Sequence, residues 1–501
     1  MRSHPKFRAL GDFLDHLAGQ DQLRKVSEPV AMELEMTAVH KRVLESGGPA
    51  LKFTCATQGG EKAAMPVVTN LFGTPERVAM GLGLDLAQVS ELGEFLADLR
   101  EPAPVDGMRD AMSRWPILQA AMATRPKVVK KAPVQARVVE GDDVDMAALP
   151  VQGCWPGEPA PLITWPLVIT RPHGSEAEKT DLFNMGVYRA QVLGRNKVIM
   201  RWLEHRGGAK HFRGWQAAGE KMPVAIVIGA DPATMLSAAL PLPETLSELR
   251  FSGVLRGERQ VLVPAKTVPL MVPAEAEIVI EGWVDPAETA PEGPYGDHTG
   301  YYNSVEEFPV MTISAITMRK DPVYLTTFTG RPPDEPSVIG EVFNTLALPM
   351  MKRQIPEIAD LWLPPAACSY RMAVVSIHKR YAGQARRVMM ALWGMLPQFS
   401  YTKLVVVVDD DIDVRNWDDV VWAMATRMDP GRDLMVTEGT PMDYLDFASP
   451  LPGLAGKLGI DATNKMGAET DREWGTVMAM TPEAEDFASK LCDKLALEGA
   501  Q

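Results

Sequence analysis

Residues 278–303, IVIEGWVDPAETAPEGPYGDHTGYYN, set how the rest of the chain is read. Ile278, Val279 and Ile280 are β-branched and begin a strand. Pro286, Pro291, Gly293, Pro294, Gly296 and Gly300 then predict that the strand stops and a rigid, turn-rich loop takes over. Glu281, Asp285, Glu288, Glu292, Asp297 and His298 lie in or beside that loop, among Trp283, Tyr295, Tyr301 and Tyr302. Carboxylates held rigidly against aromatic rings suit general acid–base chemistry. An acidic turn with tyrosines packed beneath it has the same composition, and spacing alone does not rank the acids.

Outward from this stretch, strand signals dominate 116–330. Residues 162–170 read as one strand, and 181–203 as two strands about the Gly194-Arg195-Asn196-Lys197 turn. Residues 222–229 read as a buried strand, with further strands at 276–284, 309–318 and 323–328. Asp231-Pro232 opens a helix over 233–240, and another falls within 242–255. The surplus of strands predicts a barrel or sandwich. Residues 1–115 alternate helices (10–17, 33–46, and one opened by Thr74-Pro75) with short strands (51–53, 66–68), an α/β module. Residues 331–465 carry helices at 335–351, 382–395 and 416–427 and strands at 372–377 and 404–408, a layered α/β domain with a largely parallel sheet. Residues 466–501 form a tail with one amphipathic helix, 482–497, whose apolar face needs a partner surface. The fold class is therefore multi-domain α/β (α+β).

Composition narrows the function classes. With 46% hydrophobic residues in 501, the chain builds large cores. A net charge of −14, with no Lys/Arg run, argues against nucleic acid as a partner. Cys55, Cys154, Cys368 and Cys492 are far apart and form no CxxC, so they read as thiols of a reducing compartment. The N-terminal residues show no apolar core of the signal-peptide kind, and no run of about 18 apolar residues occurs. These features predict a soluble, cytoplasmic protein. The 29 methionines supply adaptable side chains, with Met350-Met351 and Met389-Met390 as candidate linings of an apolar channel.

Three more clusters could carry chemistry. Residues 184–211 interleave Asn184, Arg189, Arg195, Lys197, Arg201, His205, Arg206, Lys210 and His211 with Gly186, Gly194, Gly207 and Gly208. Glycines let the backbone approach a phosphate and guanidinium groups bind its oxygens in pairs; an exposed cationic hairpin is the plainer reading. Glu248, at the end of ETLSE (244–248), with Asn184 and a histidine could hold a hard divalent ion beside a phosphate. Asp409-Asp410-Asp411 follows the strand at 404–408 and reads as helix-capping more readily than as a metal site. Lys403 reads as a solvated lysine.

Taken together, NMGVYRAQ (184–191), MRWLEHRGG (200–208), TLSE (245–248), PEGPYGDHTGYYN (291–303), TGRPPDEP (329–336), DDDID (409–413), TRMDPGRD (426–433) and DYLDFASP (443–450) resemble the UbiD family of reversible decarboxylases. The resemblance covers nearly the whole chain and is nearest the branch acting on 3-polyprenyl-4-hydroxybenzoate in ubiquinone synthesis. It implies a central split β-barrel-like flavin domain (116–330), flanked by the N-terminal α/β module (1–115), a C-terminal oligomerisation domain (331–465) and the tail (466–501). It implies a prenylated flavin mononucleotide whose phosphate is anchored through a manganese-type divalent ion, in some members with potassium nearby.

By the same resemblance, Asn184, Glu248 and His205 match metal ligands. Asn184, Val187, Tyr188, Arg189, Arg201, Trp202, Leu203, His205, Arg206, Gly207 and Lys403 match cofactor contacts. Arg189, Glu292 and Asp297 match the catalytic set, and Glu281, Asp285 and Glu288 fall back to solvated loop charges. Implied partners are an aromatic acid, a flavin prenyltransferase that supplies the cofactor, further copies of the chain (dimer units, up to a hexamer) and, through a polyprenyl substrate, the membrane surface. The chemistry fits the implied cofactor: loss of carbon dioxide from an sp² carbon leaves charge that no ordinary side chain delocalises, so an electron-accepting cofactor is required. Asp297 is the expected immediate proton donor, with Glu292 as the alternative. Two carboxylates sharing one arginine are expected to titrate as a coupled set, in which one can keep a proton near neutrality. A different aromatic or α,β-unsaturated acid, a non-catalytic flavin-binding module and a flavin-free metal hydrolase are the rival readings.

Overall fold

The computed structural model describes residues 3–101, 115–204, 206–240, 242, 246–395 and 397–495. Near the N-terminus, α1 (Leu10–Gly19) buries Leu10, Phe13, Leu14 and Leu17, one face of a 3.6-residue period. A small sheet follows, ordered β1 (Leu23–Val26), β2 (Ala50–Phe53), β3 (Val67–Thr69) and then Tyr324–Leu325 from far along the chain. One continuous apolar cluster extends from Phe7 through the central region to Leu346.

The central sheet holds nine antiparallel strands among the described residues and curls into a half-barrel. They are β4 (Arg137–Glu140), β5 (Leu162–Ile163), β6 (Leu167–Thr170), β7 (Asn184–Val187), β8 (Ala190–Val192), β9 (Lys197–Met200), β10 (Met222–Ile228), β11 (Ile278–Glu292) and β12 (Glu306–Met318). Their order is β7-β6-β10-β11-β12-β9-β8-β5, with β4 sharing an edge of β12 with β9. Every residue of β10 is buried, as its unbroken apolar run predicts.

Several expectations need correction. The prolines do not end β11 near Val284; it runs to Glu292. Its register shifts between Val284 and Thr289, and Pro286, which has no N–H to give, falls inside that irregularity. Residues 162–170 form two strands, because Pro166 interrupts the ladder. Residues 181–203 form three, because β7 and β8 pair with different neighbours on either side of Tyr188-Arg189. The helix within 242–255 starts only at Glu248, and Glu244 lies outside the described residues.

Glu281 is not a solvated charge. It is fully buried and accepts the amide N–H groups of Lys266 and Thr267. Asp285 and Glu288 instead pair at the surface with Lys221 and Lys197.

Among the described residues the C-terminal region carries five strands, β13 (Ile358–Trp362), β14 (Met372–Ile377), β15 (Leu404–Asp409), β16 (Leu434–Pro441) and β17 (Leu454–Ala462), ordered β13-β14-β15-β17-β16. The inner three run parallel and both edges are antiparallel. Met351 and Met389 are packed in this region's core, whereas Met390 is exposed and borders a surface cavity with Trp393 and Met435. Asp409 and Asp411 receive the buried Arg427 guanidinium, so the acid run secures an arginine instead of capping a helix. The last helix, Pro482–Leu495, buries none of its residues; Phe487, Leu491 and Leu495 all face outward.

Candidate active site

The half-barrel brings two distant strand ends together. Arg189 lies between β7 and β8, and Glu292 is the last residue of β11. Gln191, on β8, accepts the Gly293 N–H at 3.0 Å and pins the chain where it leaves β11. Gly293 takes φ +90°, which a side chain disfavours, and so turns the chain back toward Arg189.

Arg189 is gripped on every side. Its Nε and Nη2 donate to the two Glu292 oxygens at 2.8 and 3.2 Å, Nη1 to Asp297 Oδ2 at 3.0 Å, and Nη2 also to Asn303 Oδ1 at 2.8 Å. Arg201 Nη1 donates to Glu292 Oε2 at 2.5 Å, and its other nitrogen reaches the Tyr444 hydroxyl. Glu292 is fully buried and Arg201 nearly so. Tyr295 lies 5.4 Å from the Arg189 guanidinium, ring centroid to carbon.

Asp297 has a cation of its own. Its Oδ1 accepts the backbone N–H and ring Nδ1–H of His298, both at 2.8 Å. Burial alone would raise this acid, but the His298 hydrogen bonds and the Arg189 charge bring it down to about 2. Burial likewise opposes charge on His298, yet the hydrogen bond and charge of Asp297, with Asp443, raise it above 6.5. The expected shared proton is therefore not on Asp297, which is an anion near neutrality.

A second cluster occupies the other end of β7. Asn184 Nδ2 donates to the Tyr188 hydroxyl at 3.2 Å, and that hydroxyl accepts the Gly208 N–H at 3.2 Å. Gly208 is in the first turn of the helix Gly207–Ala218, whose N-cap residue Arg206 makes no side-chain cap. At Gly207 a Cβ would come within 1.9 Å of Asn184 Oδ1, so glycine lets the helix start approach the Asn184 side chain as it stands. Glu248 Oε2 accepts the Met185 N–H at 2.9 Å. Burial pushes the Glu248 carboxyl up to about 7. Trp202 Nε1 and Ser247 Oγ are buried without partners.

The sequence-derived residues divide accordingly. Arg189, Glu292 and Asp297 meet directly. Arg201, expected beside a cofactor, is bonded to Glu292. Asn184, Tyr188, Trp202, Gly207 and Glu248 gather around β7, and Arg206 precedes the helix there. Val187 is partly exposed and Leu203 packs beside Ile199, Phe308 and Val310. The His205 assignment lies outside the described residues. Lys403 is in the C-terminal region, paired with Asp446 at 2.7 Å. No group of three His, Cys, Asp or Glu side chains placed to hold a metal occurs among the described residues.

Sequence reasoning missed the residues that complete the acid cluster. Asn303 bridges Arg189 and the Tyr295 amide. Glu158 accepts the N–H groups of Cys154, Trp155 and Gly296, fastening the loop before Asp297. Tyr370 meets His298 Nε2 at 3.4 Å and donates to Asp443. Asp443 and Tyr444 open DYLDFASP, a motif noted only for its resemblance.

The 3-octaprenyl-4-hydroxybenzoate carboxy-lyase domains match in chain order: the N-terminal domain over residues 14–96, the Rift-related domain over 127–332 and the C-terminal domain over 337–462. The UbiD-class enzyme HmfF from Pelotomaculum thermopropionicum, solved with FMN, is 27% identical with a TM-score of 0.78, covering 95% of this chain and 98% of that one. An evolved dimeric form of the same enzyme, solved with prFMN, is 27% identical with a TM-score of 0.76, over 96% and 98%. Vanillic acid decarboxylase from Sedimentibacter hydroxybenzoicus, in closed form, is 26% identical with a TM-score of 0.81, over 98% and 99%. With all three domains matched in order and the fold shared over 95% or more of its length, the chain belongs to the UbiD family of carboxy-lyases.

Proposed function

We propose that the chain is a prenylated-FMN-dependent decarboxylase of aromatic acids, converting 3-polyprenyl-4-hydroxybenzoate to 2-polyprenylphenol in ubiquinone synthesis. The observation that carries the decarboxylase reading is the Arg189 fork, held between Glu292 and Asp297 where β7 and β11 converge. A guanidinium so fixed orients a substrate carboxylate without itself moving. Flavin complexes of the solved relatives support the cofactor.

The residues around β7 fit that cofactor. An uncapped helix start, a close approach at Gly207 and the Asn184 amide suit a phosphate. The buried Glu248 carboxyl, with only backbone donors, suits a divalent cation of the manganese type. Asn184, Glu248 and, from the resemblance, His205 would hold the ion; Tyr188, Trp202, Arg206 and Gly207 would hold the flavin. Bound there, a prenylated flavin would supply the electron sink that an aryl carbon needs as carbon dioxide leaves. The chain's own part is orientation and proton delivery. Arg189 aims the carboxylate, Glu292 and Asn303 hold Arg189, Arg201 neutralises Glu292, and Asp297 carries the proton to the carbon.

The named substrate of one solved relative, vanillic acid, favours a second reading in which the acid lacks a polyprenyl tail. Among the described residues no helix is long and apolar enough to cross a membrane; a polyprenyl substrate would bring the protein to a membrane surface from outside it. The outward Phe487, Leu491 and Leu495 of the last helix would seat on another copy of the chain. Co-production with a flavin prenyltransferase tests the proposal. The absorption spectrum and mass of the released cofactor should match prenylated FMN, and prenylated and unprenylated 4-hydroxybenzoates should be compared for carbon dioxide release. An active, colourless protein holding only metal would overturn it.

A further inference from the structure

Decarboxylation consumes one proton per turnover, and Asp297, drawn down to about 2, holds none near neutrality. The proton must reach Asp297 from a neighbour. His298 donates Nδ1–H to Asp297 Oδ1 at 2.8 Å, and its side chain is 21% exposed, so solvent reaches the ring. Its other nitrogen faces the C-terminal region: Tyr370 at 3.4 Å and Asp443 at 4.0 Å. Tyr370 donates to Asp443, which leaves the hydroxyl oxygen to accept from the ring. The groups around His298 are thus Asp297 on its own loop, Arg189 behind Asp297, Tyr370, Arg371 and Asp443 from the C-terminal region, and Asp334 before the helix Glu335–Gln354. The acids favour the imidazolium and Arg371 opposes it.

We propose that His298 is the proton reservoir for Asp297, held in register by Tyr370 and Asp443. The proposal rests on the decarboxylase reading above. In the step, the His298 Nδ1–H bond breaks as an Asp297 O–H bond forms. The acid then gives that proton to the carbon that loses carbon dioxide, where the C–C bonding pair becomes the C–H pair. His298 regains a proton from solvent, and nothing is oxidised or reduced. His298 acts through Asp297 and is a positioning residue. Tyr370 and Asp443 make the C-terminal region part of proton supply, so a complete site needs both regions.

The test uses two readouts. Imidazole NMR of the full-length, cofactor-free protein should place His298 above 6.5, and Asp297→Asn should lower it. Cofactor-loaded enzyme with 3-prenyl-4-hydroxybenzoate, or vanillate if that is the acid turned over, gives the pH profile. Wild-type kcat should fall as pH rises through the His298 value, because the imidazolium is lost there. His298→Gln should cut kcat by about tenfold or more, flatten that limb and leave KM within about twofold, and added imidazole should restore part of kcat. Tyr370→Phe should lower the His298 value and move the limb to lower pH. If wild type turns over and His298→Gln keeps both kcat and the limb, the reservoir is wrong while the function stands. If His298 titrates at or below 6.5, the reservoir is wrong whatever the activity. If loaded wild type releases carbon dioxide from neither acid, the functional reading falls and the reservoir with it.

Discussion

The two clusters carried by β7 are five residues apart in sequence and opposite in condition. Around Arg189, each buried charge has a partner within hydrogen-bonding distance: Glu292 has two arginines, and Asp297 has Arg189 and His298. Around Asn184, the chain leaves work undone. Glu248 has only backbone donors, Ser247 Oγ and Trp202 Nε1 have no partner, and the Gly207–Ala218 helix starts without a side-chain cap. Buried polar groups of native proteins are rarely left unsatisfied. The first cluster is completed by the chain itself; the second, on the reading proposed above, would be completed by the flavin phosphate and its cation.

Removing Arg189 should break the first cluster with the largest effect. Arg189→Ala leaves Glu292 with Arg201 and Asp297 with His298 but nothing to aim a carboxylate. Turnover should fall on the order of 10³-fold while flavin content changes little. Stability should fall by about 3 kcal/mol, the low end for breaking a buried ion pair, because each acid keeps one cation. Carbon dioxide release and thermal melts of the loaded enzyme check both. Gly207→Ala should do the reverse. Its Cβ would fall 1.9 Å from Asn184 Oδ1, so the Asn184 side chain must turn away from where the phosphate and metal are proposed to sit. Flavin retention after gel filtration should drop by about 100-fold in affinity, about 2.7 kcal/mol, while the Arg189 cluster stays intact. Equal loss of turnover per bound flavin would erase the distinction between the clusters.

Much of this was legible in the sequence, for physical reasons that differ by element. Apolar periodicity found α1, and an unbroken apolar run found β10. Capping chemistry found the helix at Pro75–Gly81, where the Thr74 hydroxyl accepts the Arg77 N–H. The prolines misled because their effect depends on register. Pro286 would end a regular ladder, but it falls in the shifted stretch of β11, where no hydrogen bond is asked of it. Glu281 misled because a buried carboxylate satisfied by two backbone amides and a hydroxyl looks, in sequence, like any surface acid. Strands β13, β16 and the interior β17 were missed because half-exposed strands carry weak apolar signals; β16 and β17 also contain glycines. Tyr370 and Asp443 could not be placed by spacing. They reach His298 from 72 and 145 positions away, and only folding brings that neighbourhood together.

Acid stability should separate the clusters more finely. Asp297 falls from 3.8 unfolded to about 2 folded, a depressed carboxylate. Its stabilisation, about 2 kcal/mol, is present above 3.8 and is lost as pH falls through about 2. His298 has the opposite sign: its raised value stabilises fully below 6.5 and fades as pH climbs through the folded value. Asp297→Asn should therefore bring acid unfolding, followed by tryptophan fluorescence, to higher pH and should remove the alkaline fading along with it. A variant that unfolds at the wild-type pH would mean that the pair is not formed in solution.

The smallest expected effect concerns Lys403, which the resemblance counts among flavin contacts. Its ammonium is bound by Asp446, and Asp446 also faces Arg371 at 3.5 Å. Arg371 in turn lies 3.8 Å from Asp443, so Lys403 ends a chain of charges that leads to His298, and none of its hydrogen bonds reaches the Asn184 cluster. Its side chain is 30% exposed, where an ion pair contributes at most about 1 kcal/mol. Lys403→Met should change flavin affinity by less than about threefold and move the alkaline limb of kcat slightly, because Asp446 then leans on Arg371 alone. A tenfold loss of flavin would instead transfer Lys403 to the ligand-completed cluster, and would mean that the C-terminal region closes over the cofactor as well as over the acids.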